Sequence, residues 1–257
     1  MINTEEEMTH QVTNRSSVAL KEIKLRFNKS LAYVNELLTF DETIQKVCIS
    51  ALNQIKRALK SINPLHSVDN QITMLSDIRN NGSLDKYYGV MHNQCVVLLV
   101  SYFTSAIEDV FIVGLADRIA NNSFPESGKY KLSINDMLDI QAQATPEAIA
   151  SLIVRRSDGV NFQNMKSIIR SCNDYLNIDI KKDALHDTIA VAHICRHSIV
   201  HSGAIARQDT ITQIQNYKSS SIQRNIMLDS NIQFSHTEVT KVSESMKKFI
   251  NTVIDNI

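Results

Sequence analysis

The segment MHNQCVVLLVSYFTSAIEDVFIVGLADRIAN, Met91 to Asn121, decides the fold of this chain. Apolar residues lie on nearly every side of an ideal helix through it, which is typical of a helix that is buried all round. We therefore predict a central buried helix on which the rest of the chain packs. Its leading core residues are Cys95, Val96, Leu99, Phe103, Ile107, Val110 and Phe111.

The composition favours a helical protein with a real core, and the chain is long enough for one large domain or two small ones. The chain has 257 residues, of which 43% are hydrophobic, and only six Gly and three Pro interrupt it, so long helices are expected. The 27 basic and 27 acidic side chains balance, so any contact with RNA must come from a local patch. The four cysteines form no CxxC pair, and we expect reduced core residues.

Two apolar runs precede the central segment. Leu20 to Leu38 and Ile44 to Ile62 both have helical spacing, Asp41 between them can cap the second run, and Pro64 stops it. This pattern predicts an antiparallel helical hairpin. The polar stretch that follows suggests a boundary, with an N-terminal helical hairpin in residues 1–85 and a helical domain in residues 86–257.

Helical patterns also follow the central segment, so the fold class is mainly all-α. An amphipathic helix spans Phe162 to Leu176, and Asp183 caps the next helix, which Gly203 ends. Alternating residues in 222–234 predict a small β-hairpin near the C-terminus. A capping box, Ser235 with Glu238, then starts a final helix.

The sequence predicts a cytoplasmic protein with no membrane segment. Residues Glu5, Glu6 and Glu7 stand where a secretory signal needs positive and then apolar residues. The most apolar stretch, Cys95 to Val100, soon meets polar residues and falls short of the ~20 apolar residues of a membrane span.

Candidate chemistry lies in the helix from Asp183 to Ser202. The chain lacks a phosphate-binding Gly-rich loop, a nucleophile elbow and a zinc-binding His-Glu-x-x-His helix, so no cofactor is expected. This helix instead holds four of the eight histidines together with an arginine: His186, His193, Arg196, His197 and His201.

These side chains allow three interpretations. They can be ordinary surface and core residues of a helix. A histidine pair four residues apart, His193 with His197 or His197 with His201, can bind a metal, but no third ligand is evident and no metal is predicted. Alternatively, Arg196 and His201 form a pair that cleaves phosphodiesters, since guanidinium suits phosphate and imidazole suits proton transfer near neutral pH.

The residues Arg196, His197, three further residues and His201 resemble the Arg-polar-x3-His signature of HEPN ribonucleases, helical proteins of bacterial defence and toxin systems. In that family the polar residue is often Asn or Asp, and His is an accepted variant. The resemblance covers roughly Met91 to Ser202, where the order of helices is similar to the HEPN core. It implies a HEPN-like helical bundle with an added N-terminal hairpin.

The resemblance also implies a function. It implies a metal-independent endoribonuclease, a toxin or antiviral effector, that cleaves RNA to a 2′,3′-cyclic phosphate. Arg196, His197 and His201 would be the catalytic residues, in a homodimer that combines two motif helices, and an antitoxin or defence-system protein would be a partner. Spacing supports the dimer, because Arg196 and His201 differ by about 140° around an ideal helix.

Two alternatives stay open. A catalytically silent HEPN-like module would bind RNA, a nucleotide or a protein, with Arg196 as a buried structural cation. An unrelated helical scaffold would contain the hexapeptide by chance.

Overall fold

A computed structural model of the protein describes residues 3–58, 65–80, 85–121, 123, 145–156, 159–223 and 225–257. None of these residues lies in a β-strand, so the mainly all-α class is confirmed. Within them the chain forms the helices α1 (Asn3–Ala58), α2 (Leu65–Asn80), α3 (Asp85–Ala120), α4 (Pro146–Arg156), α5 (Met165–Leu176), α6 (Ala184–His201), α7 (Gln208–Gln215) and α8 (His236–Ile254).

Helix α3 is the centre of the fold, as its sequence predicts. It contacts α1, α4, α5, α6 and α8. The seven leading core residues of the prediction all have no exposed surface. Each large apolar side chain buried in this way contributes about 1.5–3 kcal/mol, so α3 holds the surrounding helices together.

Helix α1 differs from the predicted hairpin. Leu20, Ile23, Phe27, Leu31, Val34 and Leu38 are buried with the predicted spacing. However, the helix runs through Asp41 without a break to Ala58, so the predicted turn is wrong. Neither Gly nor Pro stands between Leu38 and Ile44, and Asp or Thr inside a helix costs well under ~1 kcal/mol relative to Ala.

The first part of α1 and helix α3 share one core. This core therefore extends across residue 85, where the sequence analysis places a domain boundary. Helix α2 packs against α1, and its Asp69 forms a salt bridge with Lys56 near the end of α1. Residues 59–64, which include the predicted stop at Pro64, lie outside the described part of the chain.

The predicted start of α6 is confirmed. The Asp183 carboxylate accepts a hydrogen bond of 2.9 Å from the backbone N–H of His186. At the other end, Ser202 is the C-cap, and Gly203 has the left-handed conformation that favours glycine, with φ of +61°. The helix therefore ends at His201, one residue earlier than predicted.

The β-hairpin predicted in residues 222–234 is wrong for the described residues. The segment after α6 pairs instead with this region through one isolated antiparallel bridge, between Ile205 and Asn231. The backbone N–H of Ile232 donates to the Ala204 carbonyl at 2.7 Å, and the N–H of Ala206 donates to the Ser230 carbonyl at 3.0 Å. Alternation of side chains predicts an extended segment but not its partner.

The side chain of Asn93 fixes this irregular region to α3. Its amide donates to the Ile232 carbonyl at 2.7 Å and accepts from the N–H of Phe234 at 3.2 Å. Helix α8 then begins with the predicted capping box of Ser235 and Glu238.

Helix α3 also has the length of a membrane span. Residues 87–120 reach a mean hydropathy of 1.9 over 18 residues, and 44% of that window is buried by the other helices. The core helix of a soluble protein passes the same test, so this feature does not place the protein in any compartment.

Candidate functional site

A polar cleft of about 920 Å³ lies between α3, the start of α5, α6 and the end of α7. Arg196, His197 and His201, the three residues singled out by sequence, all border this cleft. The neighbouring turn of α3 adds Ser101 and Thr104. We call this volume the polar cleft.

Helix α6 places Arg196, His197 and His201 at the polar cleft because a wide part of the surface of α6 faces the cleft. Ala190, Ile194 and His201 border the cleft on one side and Arg196 on the other, which spans about 160° of an ideal helix. The 140° between Arg196 and His201 therefore does not separate them into different sites. The spacing alone therefore does not require a second copy, and the homodimer of motif helices stays a prediction.

His197 and His201 form a pair at the end of α6. Both side chains are exposed, and their ring centroids lie 4.7 Å apart with the planes tilted by 47°. His201 is the last residue of α6. Both imidazoles can therefore reach a ligand in the cleft.

Arg196 is half-buried, and no partner for its charge lies among the described residues. No carboxylate among the described residues forms a salt bridge with it, and its buried Nε has no hydrogen-bond partner there. A guanidinium in this setting gains from an anion that brings acceptor oxygens. Phosphate is a suitable ligand because it offers several such oxygens.

His193, one turn before His197, supports the wall of the cleft. Its side chain is 8% exposed, and its ring meets the ring of Phe103 edge-on at 5.9 Å. The Nδ1–H donates to the Gln163 carbonyl at 3.2 Å, which ties α6 to the start of α5. Burial, together with the charge of Arg196, lowers the pKa of His193 to about 4, so its ring is neutral at pH 7.

No three His, Cys, Asp or Glu side chains of the described residues are arranged to hold a metal ion. His197 and His201 alone would supply two ligands. A stable site for Zn²⁺ normally uses at least three from the protein.

Part of the cleft is formed by residues that sequence reasoning did not single out. Gln163 and Asn164 precede α5, and Asn216 and Tyr217 follow α7. Burial raises the pKa of Tyr217, and the nearby Asp187 carboxylate adds to the effect. These residues come from loops and helix ends distant in sequence, so no local pattern marks them.

Apart from Arg196 and the histidines, the described basic residue that borders the cleft is Lys166. Of Arg155, Arg156, Lys166 and Arg170, only Lys166 borders it. Glu108 of α3 also borders the cleft, whereas its neighbour Asp109 forms a salt bridge of 2.7 Å with Arg26 of α1.

Comparison of the chain with models of protein families, with curated proteins and with solved structures found no match. The resemblance to HEPN ribonucleases therefore depends on the residues from Arg196 to His201 and on their helical context.

Proposed function

We propose that the protein is a metal-independent endoribonuclease whose active site is the polar cleft. The observation that carries the proposal is the arrangement of Arg196, His197 and His201 around one opening, with no described carboxylate neutralising the arginine. The resemblance to HEPN ribonucleases names the same three residues.

The cleavage would use the 2′-hydroxyl of the substrate as nucleophile. Its oxygen attacks the adjacent 3′-phosphate, the bond to the 5′-oxygen of the next nucleotide breaks, and the products are a 2′,3′-cyclic phosphate and a 5′-hydroxyl. Arg196 would stabilise the charge on the phosphoryl oxygens. His201 would transfer a proton as general acid or base, and His197 would orient His201 or bind a neighbouring phosphate.

The test is cleavage of RNA by the purified protein in excess chelator. The wild-type protein should cut, and Arg196→Ala and His201→Ala should each lower the rate by roughly 10²-fold or more. Val200→Ala is the matched control, because Val200 is exposed on the same helix and does not border the cleft. Replacing the 2′-hydroxyl at the cut position with hydrogen should abolish cleavage. Activity that chelation removes would contradict the metal-independent mechanism.

A catalytically silent binding module is the second candidate. The half-buried Arg196, with its buried Nε, favours it, since this cation lies against the core as well as the cleft. Such a module would bind RNA or a nucleotide without cutting it, and Arg196→Ala would weaken binding while no variant changed the length of the RNA.

The biological setting proposed with the ribonuclease is that of a toxin or antiviral effector in the cytoplasm. RNA would be the substrate, the resemblance to HEPN ribonucleases implies a second copy at the site, and an antitoxin or defence-system protein would control it. Co-expression toxicity that disappears in His201→Ala would support this setting, and harmless expression of an enzyme active in vitro would contradict it.

A further inference from the structure

The second part of α1 extends beyond the core. From Thr43 to Ala58 none of the described side chains is buried, in contrast to the six buried apolar residues between Leu20 and Leu38. At 1.5 Å per residue the helix continues for about 30 Å past Leu38. An isolated helix of this length is marginal in water, because most helical stability comes from packing of an apolar face. This arm therefore needs a packing partner.

Helix α2 covers one side of the arm only. The half-buried residues Gln45, Ile49, Leu52 and Lys56 lie on the side that α2 covers, and Lys56 forms a salt bridge with Asp69 of α2. On an ideal helix these four continue the side that faces the core at Leu38. The other described side chains of the arm, from Thr43 to Ala58, are exposed.

An apolar stripe lies on the exposed surface of α1, about 140° around an ideal helix from the half-buried residues that face α2. Its members are spaced alternately four and three residues apart, which is the heptad spacing of a coiled coil. The side chains of Tyr33, Phe40, Ile44 and Val47 are 53%, 61%, 47% and 60% exposed. We call this the α1 stripe, and it comprises Tyr33, Leu37, Phe40, Ile44, Val47 and Ala51 and continues through Gln54 to Ala58. Leu37 is half-buried and also packs against the core, whereas the other members are exposed.

The α1 stripe is complementary to itself when two copies run antiparallel. If residues whose numbers add to 91 face each other, Phe40 packs against Ala51 of the partner subunit, and Ile44 packs against Val47 of the partner subunit. Tyr33 then faces Ala58 of the partner subunit. Each aromatic ring thus meets a small residue, as close packing requires. A parallel pair would oppose the aromatic rings to each other and leave gaps at the alanines.

The charges beside the α1 stripe favour the same direction. Exposed Glu36 and exposed Arg57 occupy equivalent flanking positions, three heptads apart. In the antiparallel register Glu36 lies beside Arg57 of the partner subunit, and Arg57 lies beside Glu36 of the partner subunit. These contacts form two ion pairs related by symmetry. The parallel arrangement does not form these pairs.

We propose that the α1 stripe is a homodimer interface, in which two copies of this chain form an antiparallel coiled coil with the twofold axis midway between Ile44 and Val47. This interface is independent of the proposed ribonuclease function and differs from the pairing of motif helices that the resemblance implies. It uses only α1.

Cross-linking tests the contact directly. Cys48 is exposed at the edge of the α1 stripe, contrary to the prediction of core cysteines, whereas Cys95, Cys172 and Cys195 are buried. A short bismaleimide should convert the full-length protein to a covalent dimer, and Cys48→Ser should abolish the product. Absence of the cross-link in the wild-type protein would overturn the proposal.

Light scattering then tests the interface. The wild-type protein should be a dimer at micromolar concentration, and Ile44→Glu with Val47→Glu should weaken association by 100-fold or more. Asn53→Glu is the matched control, because Asn53 is exposed on the same arm away from the α1 stripe. A wild-type monomer, or a dimer that the double variant leaves intact, would overturn the proposal. Unchanged thermal unfolding of the core shows that the double variant is folded.

Spin-label distances decide the direction. With Cys48→Ser as background, labels at Lys46→Cys lie almost opposite each other, whereas labels at Arg57→Cys are offset by about 35 Å along the axis. The antiparallel dimer therefore predicts a short and a long distance. Two short distances would indicate a parallel pair and overturn the proposed arrangement.

Discussion

Replacement of His193 by Asn should change how stability depends on pH. Burial lowers the pKa of His193 to about 4 in the folded protein, against 6.5 in the unfolded chain. The unfolded state therefore binds this proton more readily, so the contribution of His193 to stability is present above about pH 6.5 and is lost as the pH falls towards 4. Asn keeps an N–H donor for the Gln163 carbonyl but cannot titrate.

The expected size follows from the two pKa values. Between about pH 7.5 and about pH 5 the wild-type protein should lose roughly 2 kcal/mol from this group, at 1.36 kcal/mol per pKa unit. The charge of Arg196 on the same helix opposes protonation, and Lys166 borders the same cleft. Arg196 acts here only through the protonated imidazole of His193, so its effect is part of the difference between the wild-type protein and the variant.

Urea unfolding at both pH values measures the effect. The loss of unfolding free energy between the two should be about 2 kcal/mol smaller in His193→Asn than in the wild-type protein. Ile194→Val is the control, because it changes packing on the next residue without a titrating group and should leave the loss unchanged. Equal losses in His193→Asn and wild type would refute the assignment of a buried, neutral His193.

The other predictions concern hydrogen bonds that fix the segments around α6. Asn93→Leu should lower the free energy of unfolding by about 2–4 kcal/mol in urea titrations, because it leaves two buried backbone groups unpaired. Ser198 and Thr210 share a buried hydrogen bond of 2.9 Å, so Ser198→Ala and Thr210→Val should show a coupling of about 1 kcal/mol in a double-mutant cycle; additive effects would exclude it. Ser235→Ala should cost about 1 kcal/mol in thermal unfolding through loss of the cap of α8, whereas Thr240→Ala, further along the helix, should cost less.

The sequence predicts the elements whose signal is local. The buried helix around Phe103 follows from apolar residues on all sides, and the starts of α6 and α8 follow from Asp183 and Ser235, whose side chains cap the next turn. The continuous α1 was missed because Asp41 is compatible with both a cap and a helix interior. Only packing along the whole helix decides between them.

The sequence predicts only the part of the candidate site whose residues are close together in the chain. Arg196, His197 and His201 are neighbours in sequence, so a motif can find them, and the structure places all three at the polar cleft. Gln163 and Tyr217 come from other segments, and their place in the cleft depends on tertiary packing. The burial of His193 likewise depends on α3 and α5, which its own helix does not reveal.

The hydrogen bonds between α7 and α6 indicate which wall of the polar cleft can move. Thr210 of α7 is bonded to Ser198 of α6, and beyond the helix the N–H of Ser219 donates to the Asp187 carboxylate at 3.0 Å. Hydrogen bonds thus connect both ends of the α7 segment to α6, the helix that carries Arg196. We therefore expect α6 and α7 to move together as one rigid unit. A polynucleotide too wide for the polar cleft would have to displace the segment before α5, on the opposite side of the cleft. The hydrogen bond from His193 to the Gln163 carbonyl connects that segment to α6 and would resist the displacement.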